Sequence, residues 1–178
     1  MYLKSRERLL VKRAEKLYYF IMIYVTEKPE ETQKLGEEFA ARLLNFKGDT
    51  AAVVALEGEL GAGKTVFIQG LAKGLSLEAK IKSPTFVLMK IYNIDQKSGD
   101  DSKLEIQNSK FTTLYHLDCY RLRDEQDLVV LEMKEIMANP KNIVLIEWAD
   151  RVAKALPEDC FKIHIDHIGE NKRKISIE

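Results

Sequence analysis

The chain has 178 residues, of which 46% are hydrophobic, a length and composition typical of one soluble globular domain. Its 28 basic and 28 acidic side chains cancel, so no net charge draws the whole protein toward nucleic acid or an anionic membrane. There are only two cysteines, Cys119 and Cys160, and they form no CxxC pair, which argues against a zinc site or a disulfide framework. We therefore expect two buried thiols in a reducing, cytoplasmic environment.

The first twenty residues read as an extension to the domain. Basic side chains dominate the start, and a short apolar run at 17–25 follows, an order typical of a signal peptide. Charged residues stand where a cleavage site would lie, and spanning a bilayer takes about 20 apolar residues, more than this run provides. We expect residues 1–20 to form a helical extension that need not be native, with Met22 as an alternative start. Residues 21–178 would then form a single domain that begins with a strand near Ile21–Val25.

Helices and strands are expected to alternate in the first half of the domain. Pro29–Leu44 has apolar residues at helical spacing, and its proline and glutamates suit the first turn of a helix. Ala51–Leu56 is a short, almost wholly apolar run, as in a strand buried on both faces. An amphipathic helix is predicted from Lys64 to about Leu75.

The second half is predicted to contribute further strands. Phe86–Ile94 and Thr112–Tyr120 read as extended segments, separated by a polar loop at 95–110. Asp124–Met137 is predicted to be helical and Ile143–Ile146 to be a second buried strand. The tail alternates apolar and polar residues as in a closing antiparallel hairpin. This order predicts an α/β fold with a mixed central sheet.

Residues 58–65, Gly-Glu-Leu-Gly-Ala-Gly-Lys-Thr, match the phosphate-binding pattern G-x-x-x-x-G-K-[ST] at every fixed position. Glycines permit positive φ angles, so successive backbone N–H groups can surround an anion, and the following helix adds its positive end. Lys64 is expected at the β- and γ-phosphates and the Thr65 hydroxyl at a magnesium ion. The pattern indicates a nucleoside-triphosphate site in a three-layer sandwich of the P-loop NTPase type. The predicted nucleotide-binding residues of the loop are Gly58, Glu59, Leu60, Gly61, Ala62, Gly63, Lys64, Thr65 and Val66.

Two acidic residues, Asp118 and Glu147, each close an apolar strand. A P-loop needs such carboxylates to hold the metal and to order the attacking water. Because an unpaired buried carboxylate is costly, we predict catalytic and metal-binding roles for both residues, together with Thr65. The alternative is a structural ion pair, for which Arg121 is the nearest candidate to Asp118. Which carboxylate contacts the metal directly is left open.

Three further side chains are candidates for supporting roles. Thr85 follows the loop at the distance where GTPases keep a nucleotide-sensing threonine, so we expect it near the γ-phosphate. Trp148 is expected either in the core or beside the nucleotide. His116 lies on a strand face, where a core or supporting histidine is more common than a catalytic one. His164 and His167 are expected to face solvent.

The sequence restricts the class of P-loop protein. It lacks the D-x-x-G and [NT]-K-x-D motifs of GTPases, so specificity for GTP is not expected. A small-molecule kinase is the main alternative, because Arg121 and Arg123 could serve as a lid over the phosphates. A nucleotide-gated binding module with slow turnover is a third class that fits the same residues.

Four motifs in order resemble the bacterial TsaE (YjeE) family: GELGAGKT, SPTF at 83–86, HLDCYRL at 116–122 and IEW at 146–148. Proteins of that family are small ATPases of threonylcarbamoyladenosine biosynthesis in tRNA. The resemblance runs from about Glu30 through the tail and implies ATP or ADP and Mg²⁺ as cofactors. It implies that one set of side chains surrounds the nucleotide and its metal. These are Lys64, Thr65, Thr85, Asp118, Glu147 and Trp148.

The resemblance also implies partners. Such a protein would not transfer the threonylcarbamoyl group itself; it would bind the heterodimer of the TsaD transferase and TsaB, and ATP hydrolysis would reset that complex between rounds. It would reach tRNA indirectly, through the complex, without membrane or direct DNA contact. Little turnover is expected from the isolated chain. The extension at 1–20 and the insertion at 95–110 depart from the family pattern but leave the motifs intact.

Overall fold

Strands and helices alternate along most of the chain in the computed structural model. The described residues are 6–14, 17–77, 81–94, 109–122, 128 and 131–178, with backbone alone for 6–14 and 17–20. The strands are β1 (Arg6–Ala14), β2 (Leu17–Thr26), β3 (Ala52–Glu57), β4 (Met89–Asn93), β5 (Thr113–Asp118), β6 (Asn142–Glu147), β7 (Phe161–His167) and β8 (Arg173–Ile177). The helices are α1 (Pro29–Leu44), α2 (Lys64–Gly74) and α3 (Met133–Ala138), followed by the 3-10 segment Ala149–Ala155.

The described strands form one mixed sheet in the order β1-β2-β8-β7-β3-β6-β5-β4. Its four inner strands, β7, β3, β6 and β5, run parallel, whereas β4 pairs with β5 and β8 pairs with β7 and β2 in antiparallel fashion. All of β6 and nearly all of β3 are buried, because both faces of the sheet are covered. The predicted mixed sheet is therefore confirmed.

Two apolar clusters, one on each face of the sheet, give the molecule three layers. Side chains alternate along a strand, so β3 sends Val54 to the cluster beneath α1 and α2 and Val53 to the opposite cluster. The opposite cluster is completed by residues of α3 and the 3-10 segment, including Met133 and Val152. The predicted three-layer sandwich is confirmed. None of the helices in the described ranges has the length and hydrophobicity that a membrane span requires.

Helices α1 and α2 approach each other backbone to backbone. A Cβ placed on Gly70 would lie 1.7 Å from the carbonyl oxygen of Gln33, so no side chain fits at this point of α2. The rings of Phe39 and Phe67 fill the space beside this contact, with their centroids 5.8 Å apart. This close approach fixes α2, and hence the glycine loop that precedes it, against the rest of the domain.

The expected helical extension at the N-terminus is wrong for Arg6–Ala14, which forms β1. This strand pairs antiparallel with Leu17–Thr26, which contains the strand predicted near Ile21–Val25. Charged and apolar residues with helical propensity adopt extended structure here because an adjacent strand edge offers backbone hydrogen bonds.

The strand predicted at Phe86–Ile94 begins only at Met89. Phe86 and Val87 lie in a turn, which the Pro84 carbonyl closes by accepting the N–H groups of Val87 and Leu88. Among the described residues of the helix predicted at 124–137, the α-helix begins only at Met133. Most of the polar loop predicted at 95–110 lies outside the described residues.

Candidate nucleotide-binding site

The glycine loop turns the chain from the end of β3 into the first turn of α2. Gly58, Gly61 and Gly63 have φ angles of 129°, 75° and 109°. Gly58 is also restricted in space, because a Cβ there would lie 2.3 Å from the Ile165 carbonyl oxygen of β7. The glycine pattern thus corresponds to backbone that other residues rarely adopt, ahead of a helix N-terminus that favours anions.

Lys64 is directed into the loop and is only 5% exposed. Its Nζ donates to the carbonyl oxygens of Gly58, at 2.7 Å, and of Glu59, at 2.9 Å. The same nitrogen lies 3.9 Å from the centre of the Trp148 ring, a cation–π contact. An ammonium group has three N–H bonds, and these two carbonyls use two of them. One N–H therefore remains for an anion bound in the loop.

The charge of Lys64 is subject to opposing effects. Removal from solvent lowers its pKa, because desolvation disfavours the ammonium form. The negative charges of Glu147, Asp118 and Asp150 raise the pKa and oppose this effect. A poorly solvated ammonium group surrounded by the loop is well suited to bind phosphate oxygens.

Glu147 closes β6, in register with Leu56 of β3 and with Asp118 of β5. Its Oε2 accepts a hydrogen bond from the Thr65 hydroxyl at 3.0 Å, and its Oε1 lies 2.8 Å from Nε2 of His116. The carboxylate is 3% exposed and is held on both oxygens. The register of the parallel strands brings it to the end of the glycine loop.

Asp118 closes β5 and holds a different segment. Its Oδ2 accepts hydrogen bonds from the hydroxyls of Ser83, at 2.6 Å, and Thr85, while its Oδ1 accepts the Tyr120 N–H at 3.0 Å. The two hydroxyl oxygens are 2.7 Å apart. A carboxylate offers about four lone-pair positions, so these three donors leave about one for another ligand.

Trp148 follows Glu147 with a φ of 58°, in the left-handed region that non-glycine residues seldom occupy. Its ring centre is 5.0 Å from that of Tyr120 and 5.9 Å from the Arg151 guanidinium. The left-handed backbone costs about 1–2 kcal/mol, which the packing of the ring against these neighbours and Lys64 helps to offset. The ring also packs against the apolar cluster that contains Val152, so Trp148 borders both the core and the phosphate loop, and its place beside a nucleotide stays a prediction.

The C-terminal hairpin contacts the loop, and no feature of the sequence predicts this contact. His167 donates from Nε2 to the carbonyl oxygen of Gly61 at 2.8 Å, and Arg173 donates from Nε to that of Ala62 at 2.9 Å. The prediction that His167 faces solvent is confirmed, because the side chain is exposed; its hydrogen bond to the loop was not predicted. The contact arises because β7 pairs in parallel with β3, and no local sequence signal encodes that pairing.

Two cavities border the loop. The larger, of about 510 Å³, lies beside the start of the loop; the smaller, of about 70 Å³, lies beside its end. The larger is lined by Glu57, Gly58, Glu59, Trp148, Asp150, His164, Asp166 and His167. The smaller is lined by Pro29, Thr32, Gly61, Gly63, Val66, Asn171 and Arg173. The predicted residues Glu59 and Val66 thus border open space, and Leu60 is 79% exposed at the loop.

The remaining candidates from the sequence lie outside this constellation. The guanidinium of Arg121, a proposed lid residue, lies 4.8 Å from the ring centre of the exposed Phe86. Arg123 falls outside the described residues. Cys119 and Cys160 are both buried, and burial raises the pKa of the Cys119 thiol to about 12. Such a thiol stays protonated at neutral pH, which makes it a poor nucleophile.

A magnesium ion fits beside Thr65 and Glu147. Both provide oxygen atoms, which Mg²⁺ prefers, and their side chains are within hydrogen-bond distance. In the described part of the chain no three His, Cys, Asp or Glu side chains form a metal site by themselves. Magnesium in phosphate-binding proteins uses one or two protein carboxylates together with phosphate oxygens and water. These two residues therefore suit an ion that binds together with a nucleotide.

The chain matches one protein family and several of its members. The family model described as threonylcarbamoyl adenosine biosynthesis protein TsaE matches residues 26–175. The tRNA threonylcarbamoyladenosine biosynthesis protein TsaE of Haemophilus influenzae is 34% identical over 144 residues, which cover 80% of this chain and 81% of that protein. Its counterpart from Bacillus subtilis is 35% identical over 151 residues, with coverages of 85% and 81%.

A solved structure gives the same result. The crystal structure of Bacillus subtilis YdiB superimposes with a TM-score of 0.61 at 29% identity, and the match covers 88% of this chain and 84% of that one. This similarity confirms the predicted fold of the P-loop NTPase type. Since the family model spans most of the chain, the protein belongs to the TsaE family of tRNA threonylcarbamoyladenosine biosynthesis proteins.

Proposed function

We propose that this protein is a magnesium-dependent ATPase that acts as a nucleotide switch on the TsaB–TsaD complex during threonylcarbamoyladenosine modification of tRNA. The observation that carries the proposal is the hydrogen bond between Thr65 and Glu147, 3.0 Å long. It joins the last residue of the phosphate-binding pattern to a carboxylate on the neighbouring strand, the pairing that P-loop NTPases use around magnesium. Family membership supplies the pathway.

ATP or ADP would bind with its phosphates in the glycine loop. The left-handed glycines and the first turn of α2 supply backbone N–H groups, and Lys64 supplies its remaining N–H. Thr85 and Trp148 complete the proposed set from outside the loop, at the γ-phosphate and beside Lys64. The proposed nucleotide-binding residues are Gly58, Glu59, Leu60, Gly61, Ala62, Gly63, Lys64, Thr65, Val66, Thr85 and Trp148.

The two carboxylates would have different roles in hydrolysis. Thr65 and Glu147 would hold the magnesium ion, and Mg²⁺ bound there supplies positive charge to the phosphate oxygens. Asp118 has about one free acceptor position, with which it would orient the attacking water. It would also contact the magnesium ion through a bound water molecule. Lys64 would stabilise the charge that develops on the transferred phosphoryl group.

The switch would operate through residues 83–87. In the structure the Thr85 hydroxyl is bonded to Asp118, and a γ-phosphate would compete for that hydroxyl, whereas ADP offers no such group. The next two residues, Phe86 and Val87, are 85% and 61% exposed. A shift of Thr85 would therefore move an apolar surface that a protein partner can contact.

The proposed partner is the heterodimer of the TsaD transferase and TsaB. The protein would act on tRNA modification indirectly, through this complex. Neither a membrane nor DNA has a role in this proposal, and the protein would work in the cytoplasm with the rest of the pathway. The balance of 28 basic and 28 acidic side chains suits docking on protein better than on RNA.

ATP hydrolysis by Lys64→Ala and Glu147→Gln variants, measured with and without the TsaB–TsaD heterodimer, tests the proposal. We expect Lys64→Ala to abolish turnover and Glu147→Gln to lower it by about 100-fold or more, while ADP affinity without metal changes little in Glu147→Gln. Fluorescence of Trp148, the single tryptophan, reports ADP binding. Lys34→Ala, at an exposed surface lysine, serves as the control.

Two outcomes would contradict the proposal. Unchanged turnover in Glu147→Gln would contradict the proposed metal site. Phosphate transfer from ATP to an added small metabolite would favour the kinase alternative. Stimulation of hydrolysis by the heterodimer supports the switch, whereas a constant rate would leave the protein an unregulated ATPase and end that part of the proposal.

A further inference from the structure

His116 lies in the central sheet, behind Glu147, and is not exposed at the phosphate loop. It belongs to β5, two residues before Asp118, and is fully buried. Its Nε2 lies 2.8 Å from Oε1 of Glu147, on the side of the carboxylate opposite Thr65. Its Nδ1 is buried and has no hydrogen-bond partner among the described residues. The imidazole is thus committed to a single polar contact.

This contact determines which ring nitrogen carries the hydrogen. A hydrogen on Nδ1 would be buried without an acceptor, and the Nε2 lone pair would then face a carboxylate oxygen. A hydrogen on Nε2 instead donates to Glu147 and leaves only a lone pair at Nδ1. His116 is therefore the donor and Glu147 the acceptor.

We propose that His116 is a positioning residue that aims the Glu147 carboxylate at Thr65 and at the metal beside it. The proposal rests on the proposed function, because it needs Glu147 to serve a metal ion. A glutamate side chain has several rotatable bonds, and the Thr65 hydroxyl holds only one of its oxygens. His116 fixes the second oxygen, so the plane of the carboxylate is set before any ion binds.

Burial makes this orientation hard to lose. If Glu147 rotated away, the Nε2–H of His116 would be left without an acceptor in the interior of the sheet. In β5 and β6, His116 pairs in register with Leu145, so the ring sits on a rigid strand beside Glu147's own strand. The carboxylate is therefore preorganised from the core side by His116, while its other oxygen is held by the half-buried Thr65 at the end of the phosphate loop.

The test compares His116→Leu with His116→Gln. Leucine fills the site without a donor, whereas the glutamine amide nitrogen reaches about as far as Nε2 and can donate to Glu147. We expect His116→Leu to weaken Mn²⁺ binding to the ADP complex, measured by electron paramagnetic resonance, by about 10–100-fold. His116→Gln should retain most of the affinity, and ADP affinity in EDTA should be the same in both variants and the parent protein.

A packing role would give a different result. Equal Mn²⁺ affinity in the parent protein and His116→Leu would overturn the proposal, and so would equal losses in His116→Leu and His116→Gln. Thermal unfolding shows whether each variant is folded. If His116→Leu does not fold, His116→Asn replaces it, because the shorter amide cannot reach Glu147. The same loss of Mn²⁺ affinity is then expected. Glu147→Gln separates the two proposals. If Glu147→Gln leaves Mn²⁺ affinity unchanged, the proposed metal site is wrong. If Glu147→Gln lowers Mn²⁺ affinity but His116→Leu does not, only the proposed role of His116 is wrong.

Discussion

Asp118 and Glu147 are paired neighbours on adjacent parallel strands, yet they serve different parts of the site. Both carboxylates are 3% exposed, and burying two negative charges side by side requires compensation. Glu147 obtains it from Thr65 and His116, and Asp118 obtains it from the hydroxyls of residues 83–85 and a backbone N–H. The two acids are therefore held by separate donors, Glu147 beside the phosphate loop and Asp118 beside residues 83–85, and the proposed function gives them separate roles.

This division predicts that Asp118→Asn impairs hydrolysis more than binding. The substitution removes the charge that would orient water, so we expect a fall in the single-turnover rate of about 100-fold or more, with nucleotide affinity nearly unchanged. Asp150→Asn is a matched control, because Asp150 also raises the pKa of Lys64 but is exposed. Similar losses in both variants would mean that the rate depends on the overall charge around Lys64, and the assignment of Asp118 would be withdrawn.

At the residue scale the sequence predicted the features that depend on neighbouring residues along the chain. The glycine spacing at 58–63 foretold left-handed backbone, and apolar strands ending in Asp118 and Glu147 foretold a pair of carboxylates at one edge. It did not predict that His167 and Arg173 hold the loop, since that contact depends on β7 lying beside β3. Long-range strand pairing leaves no mark in the spacing of nearby residues.

At the scale of elements, the best predictions are those with a strong local period. Pro29–Leu44 has the predicted bounds; β3 is shifted from the prediction by one residue at each end, and α2 ends one residue early. The failures are at Arg6–Ala14, where pairing with a neighbouring strand outweighs helical propensity, and at Phe86, where the Pro84 turn delays the start of the strand. In both, a tertiary or turn contact overrides the pattern of side chains.

The contact between α1 and α2 predicts a large effect of Gly70→Ala. Alanine favours a helix over glycine by about 1 kcal/mol, but its Cβ would lie 1.7 Å from the Gln33 carbonyl oxygen. Overpacking of this kind costs about 1–3 kcal/mol or more, so we expect a net loss in the free energy of unfolding, measured by urea denaturation. Gly169→Ala is the control, because its Cβ would meet only Lys172 side-chain atoms at 3.4 Å or beyond. Equal stability of the two variants would contradict backbone-to-backbone packing at Gly70.

At the scale of the whole molecule, segments far apart in sequence meet at the carboxyl ends of the parallel strands. The phosphate loop follows β3, Asp118 and Glu147 end β5 and β6, and His167 ends β7. This edge is where open α/β sheets bind ligands, because loops from several strands converge there. The segment 83–87 reaches the same edge through Asp118, so under the proposed function a change at the phosphates would act on the exposed residues Phe86 and Val87.

This connection predicts that Phe86→Ala uncouples the protein from its proposed partner. Phe86 is 85% exposed, is flanked by the Arg121 guanidinium and follows Thr85 directly, so its removal should leave intrinsic hydrolysis unchanged. Exposed aromatic residues often dominate interfaces, and we expect affinity for the TsaB–TsaD heterodimer, measured by calorimetry, to fall by about 10-fold or more. Ile168→Ala, at an apolar residue 50% exposed in the C-terminal hairpin, is the matched control. If both variants bind and respond to the heterodimer as the parent protein does, the partner docks elsewhere, and the 83–87 segment cannot be the route by which nucleotide state is communicated.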